Sequence, residues 1–155
     1  MNLPINKQTV LITGAGRGLG SAISKSFYRE GAKVIINFRK SYESAKRLSD
    51  ALGDNAILIK GDVRNKDEVL QMSQELSNQK ININTVIHNA INDYKFNGDQ
   101  RKKIDEINWQ DFQNQIETSQ KGFLNLLNIF TSNMRKEHFG RFITVGTNLF
   151  QNPVV

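Results

Sequence analysis

Apolar residues fall into short unbroken runs that alternate with longer segments in which they recur every three or four positions. Thr9-Val10-Leu11-Ile12 is the first run; Ala32 to Asn37 with its Val34-Ile35-Ile36 centre, Ala56 to Lys60, Thr85 to His88 and Arg141 to Val145 follow. Runs of this kind predict strands covered on both faces, as in a parallel sheet. Between them, Leu19, Ala22, Ile23 and Phe27 make a helical stripe that runs into Ser21 to Glu30. Ala45, Leu48 and Leu52 make a second, and Val69, Leu70, Met72 and Leu76 a third. Ser41 and Asn65 stand where helix N-caps are expected, Gly31 and Gly53 where helices should stop. A longer helix is predicted from Trp109, with Phe112, Ile116, Phe123, Leu126, Leu127, Phe130 and Met134 on one broad face and Gly140 at its end.

Strands alternating with helices predict the α/β class, and right-handed crossovers place helices on both faces of the sheet. The expected architecture is a doubly wound parallel sheet of the Rossmann kind, five strands in the order 3-2-1-4-5, with a crevice outside the carboxyl ends of the first and fourth. Residues 1–155 make one domain, with no internal repeat. From Asn89 to Asn108 the periodicity gives way to polar residues around Tyr94, Phe96 and Gly98, and a connection this long in a compact domain is usually functional.

Composition mostly excludes. There are no cysteines and two histidines, His88 and His138, so disulfides, thiolate metal sites and a zinc cluster are not expected, and a reducing cytoplasm is the natural compartment. No apolar run approaches the ~18 residues of a membrane span. Neither is there an apolar leader at Met1 to Lys7, so the chain reads as soluble. The 21 Lys plus Arg against 15 Asp plus Glu give +6, which would suit a nucleic acid. These bases are scattered among acids, at Lys46-Arg47, Arg101-Lys102-Lys103 and Arg135-Lys136, without the interleaved aromatics that stack bases, and read as solvated surface.

The candidate chemistry lies in Thr13-Gly14-Ala15-Gly16-Arg17-Gly18-Leu19-Gly20, between the first strand and the first helix. Glycines in such a turn take backbone conformations closed to other residues, let a pyrophosphate approach the main chain, and let helix pack on strand. The helix N-terminus then offers N–H groups to the phosphates. An NAD site calls for a carboxylate about 20 residues further on, at the end of the second strand. Here that strand ends Asn37-Phe38-Arg39-Lys40. Bases in place of the acid suit the extra 2′-phosphate of NADP, with Arg17 in the turn as a further cation. The alternative is a pair of surface bases.

With this turn as Thr-Gly-x-x-x-Gly-x-Gly, Asp62-Val63 after the third strand, His88-Asn89-Ala90 ending the fourth and Gly140-Arg141-Phe142-Ile143-Thr144-Val145 for the fifth, the chain resembles the short-chain dehydrogenase/reductases. Within them it is most similar to the 3-oxoacyl-acyl-carrier-protein reductases of fatty acid biosynthesis. The resemblance implies that Gly14, Gly18 and Gly20 form the pyrophosphate turn, with Gly16, Arg17 and Leu19 in the same cofactor site. It also implies that Asp62 bonds the adenine amine, Val63 lines the adenine site, and Asn89-Ala90 back the nicotinamide ribose. Read alone, Asp62 is equally a turn residue, and His88 with Asn89 a strand-end pair that satisfies loop backbone. The family's Asn-Asn-Ala-Gly stands here as His88-Asn89-Ala90-Ile91, which implies a narrower wall to the site.

The family's proton donor is a tyrosine with a lysine four residues on, the lysine lowering its pKa. That pair belongs on a helix after the fifth strand, and this sequence reaches Val155 first. Tyr28, Tyr42 and Tyr94 do not stand at that place. Thr147 corresponds to the serine that orients the substrate carbonyl and Ser119 to the helix asparagine of the proton relay; read alone, they are a polar turn residue and a solvated helix position. The implied function is an NADPH-dependent carbonyl reductase of 3-oxoacyl thioester type, truncated and catalytically impaired. The alternative is a non-catalytic NADP-binding regulatory or interaction module. In either case the resemblance implies a dinucleotide-binding domain incomplete at its carboxyl end, its last strands and helices missing, and the fifth strand is expected to be an open edge. The long helix should expose a face that the family's homo-oligomers cover, so the chain is expected to associate, and a well-behaved monomer in sedimentation would contradict this.

Overall fold

A computed structural model of the chain describes residues 3–92 and 102–146. Its elements are β1 (Thr9–Ile12), α1 (Gly18–Arg29), β2 (Lys33–Phe38), α2 (Tyr42–Leu52), β3 (Ala56–Lys60), α3 (Lys66–Asn78), β4 (Thr85–His88), α4 (Trp109–Ile116), α5 (Gly122–Lys136) and β5 (Arg141–Thr144). The strands form one parallel sheet in the order β3-β2-β1-β4-β5, as the alternation predicts. All their carboxyl ends therefore open on one edge.

Successive residues of a strand point to opposite faces, and β1 shows the result. Leu11 joins Ile35, Ile59, Val86 and the α3 and α5 residues Val69, Met72, Leu76, Leu126 and Phe130 on one face. Val10 and Ile12 join Val34, Ile36, Ala45, Leu48 and Ile87 on the other. Val10, Leu11, Ile12, Val34, Ile35 and Ile36 are all fully buried, which is why these two strands read as unbroken apolar runs. By contrast β5, last in the sheet among the described residues, leaves Arg141, Ile143 and Thr144 exposed. No helix among the described residues is long and apolar enough to cross a membrane.

Asn65 and Gly31 close helix ends as expected, whereas Ser41 and Gly140 do not. Asn65 caps α3, its Oδ1 accepting from the amides of Asp67 and Glu68. Ser41 precedes α2 without a side-chain cap; its carbonyl instead accepts from Ser44 Oγ. Beyond α1, Gly31 at φ +86° lets its amide reach the Tyr28 carbonyl and the Ala32 amide reach that of Phe27, the Schellman arrangement. The same pair of bonds closes α3 around Lys80 and α5 around His138, at φ +59° and +53° without being glycines. The last helix is thus stopped by His138, not by Gly140. Gly140 instead lies where a Cβ would come within 2.5 Å of the Met134 side chain.

The segment from Trp109 is not one helix. A π turn over Glu117–Lys121 separates α4 from α5, and the expected apolar face divides with it. Leu126, Phe130 and Met134 are buried, whereas Trp109, Phe112 and Ile116 are exposed. Of the long polar connection, residues 93–101, with Tyr94, Phe96, Gly98 and Arg101, lie outside the described residues; after it Lys102 pairs with Asp111 at 2.7 Å.

A left-handed residue with a Cβ costs about 1–2 kcal/mol, and glycine removes most of that at a smaller entropic cost. Lys80→Gly is expected to raise the stability of the chain by about 0.5 kcal/mol, read as a higher urea midpoint with an unchanged slope. A fall in the midpoint would mean that the Lys80 side chain holds more than its backbone costs.

Candidate functional site

The turn after β1 is built around Thr13, which is fully buried. Its hydroxyl oxygen accepts from the amides of Asn89 at 3.0 Å and Ala90 at 2.9 Å, and lies 3.2 Å from His88 Nδ1. In return Asn89 Nδ2 donates to the carbonyls of Thr13 at 3.0 Å and Gly14 at 3.3 Å. The carboxyl ends of β1 and β4 are so locked together. Gly14 takes φ +62°, and a Cβ on it would come 3.1 Å from Ala90 Cα. Gly18 also lies in the left-handed region, at φ +52°, with open space around it, so its conformation alone calls for glycine. Gly16 faces α2, where a Cβ would meet Ser44 Oγ at 3.0 Å. On Gly20 a Cβ would stand 2.6 Å from the Gly14 carbonyl oxygen and 3.0 Å from Ala15 Cα, backbone that cannot give way. Arg17 is the extended N-cap of α1, and the amides of Gly18, Leu19 and Gly20 precede the first helical bond, from Ser21 N to the Arg17 carbonyl. Such a helix start beside a turn bare of side chains is an anion-binding geometry.

A second cluster joins the ends of β2 and β3. Asn37 is buried; its carbonyl accepts from the Ala15 amide at 3.1 Å, and its Nδ2 donates to the Gly61 carbonyl at 3.0 Å. It ties the glycine turn to both strands. Just beyond, the Asp62 carboxylate accepts from Arg64 Nε at 3.0 Å on each oxygen, from Arg64 Nη2 at 2.6 Å, and from the Arg64 amide at 3.0 Å. Arg39 Nη1 lies 3.6 Å from the same carboxylate. Burial alone would raise the Asp62 pKa, but the Arg64 hydrogen bonds and the charges of Arg64 and Arg39 outweigh it and hold the carboxyl below its ordinary value. From the other side the Asp62 amide donates to Glu68 Oε2 at the start of α3. Arg64 escaped the sequence reading, because a single arginine two residues after a strand-end aspartate carries no signal that sets it apart from a surface base.

The π turn forms the third element. His88 Nε2 lies 3.0 Å from the Thr118 carbonyl and 3.1 Å from that of Ser119. The Ser119 hydroxyl is exposed and within hydrogen-bond distance of both the Gln115 carbonyl and Gln120 Oε1. Val63 is 3% exposed, packs where a Cβ on Gly122 would stand, and accepts from Asn125 Nδ2, so it presents almost no surface to a ligand. Ile91 is exposed. Thr147 lies outside the described residues. The sequence does hold one Tyr-x-x-x-Lys spacing, Tyr42 and Lys46, but on the second helix. There the Tyr42 ring packs on Phe38, with centroids 5.6 Å apart, and Lys46 pairs with Asp50 on the same helix. Among the described residues, then, Gly14 to Gly20, Arg39, Asp62, Asn89-Ala90 and Ser119 all follow strand ends on one edge or lie on the π turn tied to it.

A parallel sheet ordered 3-2-1-4-5, with a glycine turn at the carboxyl end of its central strand, defines a Rossmann-type α/β domain. The family model for short chain dehydrogenase matches residues 8–155, and the chain belongs to that family. It is 30% identical over 138 residues to the NADP-dependent 3-hydroxy acid dehydrogenase YdfG of Escherichia coli O157:H7, an alignment covering 89% of this chain and 53% of that protein. It is 30% identical over 144 residues to the 3-oxoacyl-acyl-carrier-protein reductase FabG of Buchnera aphidicola, covering 92% of this chain and 56% of that one. A closed form of serine dehydrogenase complexed with NADP+ superposes with a TM-score of 0.79 at 28% identity, over 96% of this chain and 57% of that chain. The chain thus spans about half the length of the relatives it matches.

Because the folded Asp62 pKa lies below its unfolded value, the ionised pair stabilises the fold above the unfolded value near about 3.9, and that contribution is lost as the pH falls through the folded value. Asp62→Asn is expected to lower unfolding free energy by about 1–2 kcal/mol at pH 7. The gap between variant and parent should close as urea titrations are moved down toward pH 3. A gap that is the same at both pH values would show that the ion pair is not its source.

Proposed function

We propose that residues 1–155 form the dinucleotide-binding part of an NADPH-dependent carbonyl reductase acting on a 3-oxoacyl thioester or a similar carbonyl. The observation that carries this reading is the cationic end of β2: Arg39 stands beside Asp62 where an NAD site would place an acid. Relatives that are NADP-dependent, and a structural neighbour holding NADP+, support it. The fit of such a cofactor is tested by the turn itself, since Gly20 has no room for a Cβ and Gly14 approaches Ala90 closely.

In this reading the pyrophosphate lies on the amides of Gly18, Leu19 and Gly20, in the turn that Gly14 and Gly16 complete. Arg39 and Arg17 would flank the 2′-phosphate, Asp62 would mark the adenine side with the buried Val63 as support behind it, and Asn89-Ala90 would mark the nicotinamide ribose. When bound, NADPH supplies the hydride for the carbonyl carbon. The chain's own residues bind and orient: Thr147 holds the carbonyl oxygen through its hydroxyl, and Ser119 stands near the proton path. The second reading is an NADP-binding regulatory or interaction module without turnover of its own. A carbonyl reductase rate in the range of ordinary enzymes would exclude that second reading. The exposed Trp109, Phe112 and Ile116 of α4 support association of the chain with itself, and its freedom from cysteine suits a reducing cytoplasm.

NADPH is expected to raise the melting temperature of the chain more than NADH at equal concentration. Arg39→Ala should weaken NADPH binding about tenfold, which is ~1.4 kcal/mol, and leave NADH within about twofold. Equal binding of the two dinucleotides by the parent chain would overturn the assignment of Arg39.

A further inference from the structure

His88 is titratable, 5% exposed and assigned no part in the function proposed above. Its two ring nitrogens face different elements, and the donors and acceptors around them determine where its proton sits. On one side is the Thr13 hydroxyl, whose oxygen already accepts from the Asn89 and Ala90 amides at 3.0 and 2.9 Å. A hydroxyl has two acceptor sites and one proton. With both sites filled, its proton goes to the remaining neighbour, His88 Nδ1, 3.2 Å away. Nδ1 is therefore an acceptor, and the imidazole proton is on Nε2. There it meets two carbonyls of the π turn, Thr118 at 3.0 Å and Ser119 at 3.1 Å. Polarity runs one way, from the amides after β4 through the Thr13 hydroxyl and the imidazole to the π turn.

The surroundings fit a ring held in place. Phe123 stacks on it with centroids 5.9 Å apart, and Gly122 lets it lie close: a Cβ there would be 3.4 Å from His88 Cε1. Burial pushes the imidazole pKa down, against the opposing pull of the Thr118 and Ser119 carbonyls, which keeps the ring neutral as this polarity requires. The two carbonyls the ring faces belong to the π turn, where the helix departs from regular i→i+4 bonding.

We propose that His88 is a positioning residue, a neutral Nε2–H strut that carries the geometry of the glycine turn across to the π turn and fixes where Ser119 stands relative to it. Only the use of Ser119 rests on the proposed reductase reading; the strut does not.

The test is made on the full 155-residue chain by nitrogen-15 NMR of the histidine side chains and by amide exchange over residues 117–123. The parent is expected to show His88 as the Nε2–H tautomer near neutral pH. His88→Phe keeps a ring but removes both bonds, and exchange in the π turn is expected to rise about tenfold; His88→Gln, which can still present an N–H at the Nε2 position, should stay within about threefold of the parent. An Nδ1–H tautomer or an imidazolium in the parent overturns the proposal without any variant having to fold. So does equal exchange in the two variants, which would leave His88 as packing alone. NADPH binding by the parent, measured on the same samples, separates the two readings: its absence with the tautomer and exchange as expected sinks the reductase reading and leaves the strut standing.

Discussion

The Thr13 hydroxyl is the point on which the geometry of the strand-end edge depends. It lies at the end of the central strand and takes two backbone amides from a segment 76 and 77 residues further along the chain. Those amides have left the ladder of β4, are half-buried, and would otherwise lack a protein partner. A residue with a β-carbon hydroxyl in an extended strand end meets that need, and a valine of the same shape would not. Gly14 can approach Ala90 because Thr13 has already brought the two strand ends into register, and Asn89 then reaches back to the turn from the other side.

Asn37 does for the other half of the edge what Thr13 does for this one. It is a buried amide that joins the glycine turn to the end of β3, and it places Arg39 and Asp62 side by side. Arg64 then holds the Asp62 carboxylate from one side while Glu68 takes its amide from the other. One carboxylate so faces two guanidinium groups, and with Glu68 counted the cluster is formally neutral.

Much of this was legible in the sequence, because the signals were local. The β1, β3 and β4 runs coincide with the observed strands, each carrying buried apolar residues: Val10, Leu11 and Ile12, then Ala56 and Ile59, then Val86 and Ile87. Asn65 and Gly31 act at the helix ends where their chemistry places them. What the sequence hid was set by contacts across the fold. The π turn interrupts a stretch whose apolar spacing reads as one helix, because the break answers to His88 and Val63 from other elements. Lys80 and His138 take left-handed conformations that glycine would signal, while Gly140, a plausible stop, serves the packing of Met134. In the candidate site the glycines and Asp62 were readable as motifs. The partner of Asp62 was not, since a lone arginine beside a turn looks like any surface base. Tyr42 and Lys46 are the converse case, a spacing with the right letters on a helix that puts them elsewhere.

The strand order also bears on how the chain comes to fold. β1 is the central strand, yet it is the first made, and of its two neighbours only β2 follows directly. Its other edge waits for β4, whose partner residues lie 75 positions away in the ladder. Closing that loop costs only about 1 kcal/mol more than the β1–β2 crossover, because the entropic penalty grows with the logarithm of length. The delay is in time, not in free energy. Until β4 arrives, Val10, Leu11 and Ile12 present an apolar strand with one unpaired side, the kind of surface through which nascent chains join one another.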